Sequence, residues 1–172
     1  MSEMSTKCRK RVALGGNLIV LVHMVVLFGH GAAHSHLHIE PSHWQRAFIA
    51  IVIFAVPVLA ALLLWTRRQT EGVVVLGLSL AGSLVFGLYY HFVAAGIDRV
   101  FNPTHTPWRG WFRITAVLLA LVEATGCAWC ILTDKYFRTA REQGGPAVKA
   151  ALQRLDTLER EVTTVFEKAA DA

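Results

Sequence analysis

Residues 47–65 read AFIAIVIFAVPVLAALLLW and residues 72–95 read GVVVLGLSLAGSLVFGLYYHFVAA, with the basic hexapeptide TRRQTE between them. Neither run contains Asp, Glu, Lys or Arg. Each is close to the roughly 20 residues that a helix needs to cross about 30 Å of hydrocarbon. A connection of six residues leaves no room for a crossover, so the two runs predict neighbouring, antiparallel membrane helices.

Two further apolar runs, at residues 12–33 and 112–133, complete the pattern. The chain has 172 residues, of which 54% are hydrophobic and 17% are charged, whereas a soluble domain carries charge on about a quarter of its residues. The sequence therefore predicts an all-α integral membrane protein, an up-down bundle of four helices within residues 1–141. Pro57 is expected to kink the second helix, which membrane helices tolerate.

The first run also has features of a cleaved signal peptide, because basic residues precede it and small residues end it at Gly31, Ala32 and Ala33. The apolar core of a signal peptide has about 7–15 residues, and this run is longer. A retained first helix is the favoured interpretation.

Lys and Arg near the helix ends predict the orientation. Nine lie at one end of the predicted bundle and four at the other. The nine are Lys7, Arg9, Lys10, Arg11, Arg67, Arg68, Lys135, Arg138 and Arg141; the four are Arg46, Arg99, Arg109 and Arg113. This count predicts a multi-pass protein of a cell membrane, typical of a bacterial inner membrane, with both termini cytoplasmic and with residues 36–46 and 98–109 outside. The net charge of +5 forms no basic face, so orientation explains it better than nucleic acid binding.

Residues 142–172 are predicted to form a linker (142–146) and a cytoplasmic amphipathic helix. Its apolar positions recur at three- and four-residue steps among charges of both signs: Val148, Leu152, Leu155, Leu158, Val162 and Phe166. Such a helix can lie on the bilayer, pair with a second copy to form a homo-oligomer, or bind a cytoplasmic partner.

The most unusual feature is a concentration of histidines, six of the eight within residues 23–43. On a helix, His30 and His34 fall about 20° to either side of His23, so the three form one stripe. His91 lies at matching depth near the outer end of the third helix, and Asp98 follows seven residues later. His105 occupies the next outer loop. Because polar residues inside a bilayer are costly, they are expected to face the bundle interior.

Imidazole and carboxylate groups that converge in this way suit Zn, Cu, Ni or Fe. The predicted metal ligands are His30, His34, His91, His36 and His38, with Asp98 beside them. The alternative is that the membrane histidines are hydrogen-bonded packing residues and that the loop histidines are simply solvated.

A polar path is predicted deeper in the bundle. Glu123 lies near the middle of the fourth helix, at about the depth of His23, so the two are expected to pair. Cys127 and Cys130 follow on the same face and would extend the path with soft ligands, unless they act as small apolar residues. Three cysteines, including Cys8, do not indicate a disulfide framework.

Three functions are compatible with these patterns. The first is non-enzymatic binding of a transition metal for handling, sensing or transport. The second is a haem b anchor or electron-transfer subunit, with iron between His91 and either His30 or His34, and with Gly87 giving room for the macrocycle. The third is a structural or assembly subunit without a ligand. No nucleophile, base and orienting group can be assembled from the sequence, so an enzyme is disfavoured.

Overall fold

The computed structural model describes residues 6–96, 98–101 and 106–170, and their regular structure is helical. Helix α1 spans Thr6–His36, α2 spans His43–Leu63, α3 spans Gln69–Val93 and α4 spans Pro107–Ala170. The first three helices and the Pro107–Thr139 part of α4 are each long and apolar enough to cross a membrane. The four predicted membrane helices are therefore present.

The helices extend beyond the apolar runs at most of their ends, because hydropathy marks only the part that suits hydrocarbon. One boundary prediction is wrong: α4 is helical through residues 142–146, where a linker was expected. Gly and Pro disfavour a helix by about 1 and 3 kcal/mol, but they do not forbid one between strong helix formers. The predicted division at residue 142 remains untested.

Two sequence predictions fall outside the part of the chain that the structure describes. One concerns His105, in the loop before α4. The other is the amphipathic face of the C-terminal helix, whose apolar side chains are not described: Val148, Leu152, Leu155, Leu158, Val162 and Phe166.

The two ends of the bundle are held by different contacts. At one end, which we call the arginine end, Arg9 Nη2 donates to the Thr66 carbonyl at 2.8 Å, and Gln69 Nε2 donates to the Arg9 carbonyl at 2.8 Å. At the other, the histidine end, the Val100 amide donates to the His91 carbonyl at 2.9 Å. There Val100 also belongs to a small apolar core with Ala33, Ile39, Phe112 and Ala116.

Helix α2 is not a uniform α-helix: residues Ile49–Ala55 form a π-helix that ends just before Pro57. The Val56 amide donates to the Ile51 carbonyl, and Pro57 has no amide hydrogen to give. The carbonyls of Val52 and Ile53 are therefore left without their usual helical donors. Neighbouring helices supply replacements, since Ser79 Oγ donates to Val52 and His23 Nε2 lies 3.1 Å from the Ile53 oxygen.

Helix α3 ends in a second π-helical turn, Tyr89–Val93, in which the Ala94 amide donates to the Tyr89 carbonyl at 2.7 Å. Short π-helical segments of this kind are frequent at functional sites. This one contains His91, whose side chain is buried.

Small residues let the helices approach closely in the middle and toward the arginine end. A side chain at Gly126 of α4 would meet Leu80 Cδ1 at 2.5 Å and Ile19 Cγ2 at 3.0 Å. One at Gly77 of α3 would meet Cys130 Cβ at 3.1 Å. Such contacts are the usual basis of helix association in membranes, and they close the bundle on the arginine side of Glu123.

Candidate metal centre

Three imidazole rings meet at the histidine end, two from α1 and one from the π-helical turn of α3. His30 Nε2 lies 3.1 Å from His91 Nε2 and 3.2 Å from His34 Nε2. His30 and His91 are 5% and 8% exposed. One ligand atom from each ring lies within 4.8 Å of the others, close enough for one metal ion to bind all three.

The partner of His30 Nδ1 fixes which nitrogen of that ring carries hydrogen. Nδ1 lies 2.9 Å from Thr115 Oγ1. The Thr115 hydroxyl hydrogen is already directed to a backbone carbonyl one turn back, that of Trp111 or Phe112. Thr115 therefore accepts from His30, whose Nδ1 bears the hydrogen and whose Nε2 keeps its lone pair.

Backbone oxygens lie beside Nδ1 of the other two rings. His91 Nδ1 lies 3.2 Å from the Asp98 carbonyl, and His34 Nδ1 makes a longer contact of 3.4 Å with the Ile39 carbonyl. A carbonyl can only accept, so His91 Nδ1 donates, whereas His34 can also donate from Nε2 to Asp98 Oδ1, which is 3.4 Å away. With hydrogen on both Nδ1 atoms, the Nε2 lone pairs of His30 and His91 face each other and can share a metal ion or a proton.

A carboxylate borders the same point. Asp98 Oδ1 lies 3.4 Å from His34 Nε2 and 3.3 Å from His91 Nδ1. This oxygen atom is buried and has no hydrogen-bond partner among the described residues, although the Asp98 side chain as a whole is 25% exposed. The Phe112 ring packs against all three imidazole rings. Its centroid lies 4.9 Å from that of His30 and 5.2 Å from those of His34 and His91.

A cavity of about 580 Å³ connects this cluster with the centre of the bundle. At the histidine end its lining includes His38, Glu40 and Arg46. His30, His34, His91 and Asp98 line it further in, and Ser83 and Glu123 lie deepest. The lining between the histidines and Glu123 includes three small residues, Gly87, Ala116 and Ala120, beside larger apolar ones such as Leu84 and Leu119.

The two remaining predicted ligands lie apart from the three rings. His36 is exposed, and its ring stacks on Trp108 with centroids 3.7 Å apart. His38 is exposed, has a positive φ of 51° and borders the mouth of the cavity. Among the described residues, the group able to share one ion consists of His30, His34 and His91; direct ligation by His36 or His38 stays a prediction.

The mid-membrane pair predicted from the sequence is in contact. His23 Nδ1 lies 3.6 Å from Glu123 Oε1, with His23 fully buried and Glu123 3% exposed. The Ser83 hydroxyl donates a short hydrogen bond to the same carboxyl oxygen. Glu123 therefore faces the bundle interior, with polar groups from α1 and α3 against it.

Cys127 and Cys130, the two cysteines of α4, pack against Gly77 of α3. Cys130 is buried in the apolar core against Gly77, and Cys127 Sγ lies 3.8 Å from the Gly77 carbonyl. Neither cysteine lines the cavity. Continuation of the polar path through the thiols therefore remains a prediction without a contact that supports it.

Neither Thr115 nor Ser83 was predicted from the sequence to contact a site residue. A single Thr or Ser in a membrane helix most often bonds its own backbone, so nothing in the sequence marks either one. The free Ile53 carbonyl could have been predicted from the sequence. Its usual helical donor would be residue 57, and Pro57 has no amide hydrogen.

Comparisons with protein-family models, with curated proteins and with solved structures find no match to this chain. Its function must therefore be inferred from the geometry of its own residues.

Proposed function

We propose that this multi-pass membrane protein binds one transition-metal ion through the Nε2 atoms of His30, His34 and His91, with Asp98 as a nearby carboxylate ligand. The role is non-enzymatic: handling, sensing or transport of the metal. Four membrane-spanning helices and three imidazoles within reach of a single ion support the proposal.

The observation that carries it is the convergence of the three rings, because one ligand atom from each lies within 4.8 Å of the others. Each Nδ1 also lies near an oxygen, supplied by Thr115, Ile39 and Asp98. Metal-binding histidines almost always have such a partner, because it orients the ring and makes the other nitrogen a better ligand.

The donor set narrows the choice of metal without fixing it. Imidazole suits Zn, Cu, Ni and Fe, and one added carboxylate leaves the set within that range. Three His ligands and one further position are typical of tetrahedral Zn²⁺. Mg²⁺ and Ca²⁺ prefer a shell of oxygen ligands and are disfavoured.

We further propose an up-down order of the helices, with the histidine end outside a cell membrane and both termini cytoplasmic. The excess of Lys and Arg at the arginine end supports this orientation. The cavity would then admit a metal ion from the extracytoplasmic side.

Haem b is a weaker candidate for the same residues. A bis-histidine haem needs two imidazoles on opposite faces of a macrocycle, whereas three Nε2 atoms here approach one point with contacts of 3.1 and 3.2 Å. A structural subunit without a ligand would leave this convergence unexplained.

Titration of the metal-free protein in mild detergent tests the proposal. Zn²⁺, Co²⁺ and Cu²⁺ would be added singly, with calorimetry and the visible spectrum of Co²⁺ as readouts. We expect one ion to bind per chain. His91→Ala should weaken binding strongly, because one of three imidazole ligands is lost.

His43→Ala is the matched control, since it removes an exposed histidine that contacts Arg46 and was not predicted as a ligand, and it should bind like the wild type. Equal binding by wild type and His91→Ala would refute the site. A Soret band in the protein as purified would instead support haem.

A further inference from the structure

We propose that Glu123 and His23 form a proton-binding site, with the proton on the Glu123 carboxyl group, and that the cavity serves this site from the histidine end. The inference does not require metal binding. It rests on which atoms of the pair can donate, on the burial of both side chains, and on the residues that line the cavity.

The hydrogen on His23 can be placed from its partners. Nε2 lies 3.1 Å from the Ile53 carbonyl, which can only accept and which Pro57 leaves without a helical donor. Nε2 therefore carries hydrogen. In the neutral ring Nδ1 has a lone pair, and it faces Glu123 Oε1 at 3.6 Å with no other partner among the described residues.

An ionised Glu123 would place a negative charge against that lone pair while both side chains are buried. One proton removes the conflict. A buried imidazolium–carboxylate pair would carry a large desolvation cost, and 3.6 Å is too long for the tight contact that could offset it. A neutral carboxyl group, which accepts from Ser83 and places no charge against the His23 Nδ1 lone pair, avoids both costs.

Among the described residues, the groups that act on the Glu123 carboxyl group include no Lys or Arg, and Arg46 lines the cavity only at the histidine end. The titratable and polar groups that face Glu123 come from every helix packed against it. They are His23 from α1, the Ile53 carbonyl from α2, Ser83 from α3, Cys127 on its own helix and, across the cavity, His30, His34, His91 and Asp98.

The cavity gives the proton a route. Ser83, Gly87 and His91 follow at four-residue steps along α3, and all three line it. A Cβ at Gly87 would meet nothing within 4 Å, so the passage is open at this point. On the opposite wall Ala116, Ala120 and Glu123 continue the lining along α4.

Infrared spectroscopy of protein labelled with ¹³C-glutamate tests where the proton resides. At neutral pH we expect the carbonyl band of a protonated carboxyl group in the wild type and its loss in Glu123→Gln. Glu71→Gln, which alters an exposed glutamate beside Arg68, should retain the band. Absence of the band from folded wild type would overturn the proposal.

Ser83→Ala provides a second test if Glu123→Gln does not fold. It removes the hydroxyl that donates to the carboxyl oxygen, so the band should shift to higher frequency. An unshifted band would show that the signal does not come from Glu123.

Exchange of the carboxyl hydrogen in D₂O tests the route. Gly87→Leu places a side chain in the passage between His91 and Ser83 and should slow the exchange by about tenfold or more, which corresponds to a barrier about 1.4 kcal/mol higher. Gly87→Ala should leave the rate unchanged, and an unchanged rate in Gly87→Leu would refute access through the cavity. If the band is present in protein that binds no metal, the proton site is supported and the metal site is refuted. If the protein binds metal but lacks the band, the metal site is supported and the proton site is refuted.

Discussion

At the scale of single residues, chemistry in this membrane protein is decided by the partner of each ring nitrogen. His23, His30 and His91 are all buried histidines. In His30 and His91 an oxygen holds the Nδ1 hydrogen, so Nε2 is free to bind a cation. In His23 the Ile53 carbonyl holds the Nε2 hydrogen instead, so Nδ1 is left to face Glu123. The position of each histidine on its helix directs the ring inward. The oxygen that accepts from one ring nitrogen then determines which nitrogen keeps a lone pair for a cation or a proton.

Thr115→Val should weaken metal binding by about 10–100-fold, the usual effect of removing the outer partner of a metal-binding histidine. Valine keeps the shape of threonine but offers no oxygen to His30 Nδ1. The measurement is the same calorimetric titration used for the wild type.

Thr125→Val is the control for this substitution, because the Thr125 hydroxyl is exposed and bonds only the backbone of its own helix. It should bind metal like the wild type. If Thr115→Val binds as tightly as Thr125→Val, the assigned tautomer of His30 is wrong.

The convergence of His30, His34 and His91 could be predicted from the sequence because His30 and His34 share a helix face, His91 lies at matching depth, and buried polar side chains are expected to face the interior. The roles of Thr115 and Ser83 could not. They depend on the rotation of α4 and α3 about their own axes, which close packing of small residues sets and which a hydropathy pattern does not contain.

At the scale of helices, Pro57 follows a π-helical segment, and the kink expected there stays a prediction. The π-helical segment Ile49–Ala55 widens α2 before the proline, and the two carbonyls thereby released are hydrogen-bonded by α1 and α3. The existence of the four helices followed from hydropathy. The π-helical turns did not, because they are stabilised by tertiary contacts rather than by local sequence.

Helix packing makes a prediction at this scale. Gly126→Val should lower the free energy of unfolding by about 1–3 kcal/mol, as overpacking of a close contact usually does, because Leu80 and Ile19 must move. Reversible unfolding in mixed detergent micelles measures the change.

Gly31→Val is the matched control, since a Cβ at Gly31 meets nothing within 4 Å. It should alter stability much less than Gly126→Val. Equal effects of the two substitutions would mean that α1, α3 and α4 do not pack closely around Gly126.

At the scale of the whole molecule, the four helices join an arginine end to a histidine end, and orientation in the membrane decides which compartment meets the cavity. Lys and Arg counts could predict an orientation because they bias membrane insertion. The cavity itself could not be foreseen, since it arises from side chains on all four helices.

Cysteine labelling checks this orientation in a variant without Cys8, Cys127 and Cys130. His38→Cys introduced into it should react with a membrane-impermeant maleimide in cells whose inner face is sealed. Arg67→Cys should react only after the inner face is exposed. The reverse order of labelling would invert the proposed topology.

The close packing around Gly126 has a consequence for the membrane itself. On α4 no residue beyond Glu123 toward the arginine end lines the cavity, and Leu80 and Ile19 close the next turn around Gly126. Among the described residues, the cavity therefore ends at Glu123 on the α4 side. If protons enter by this cavity as proposed, they would reach Glu123 without crossing the membrane, and many copies of the protein would not short-circuit the membrane voltage of a cell.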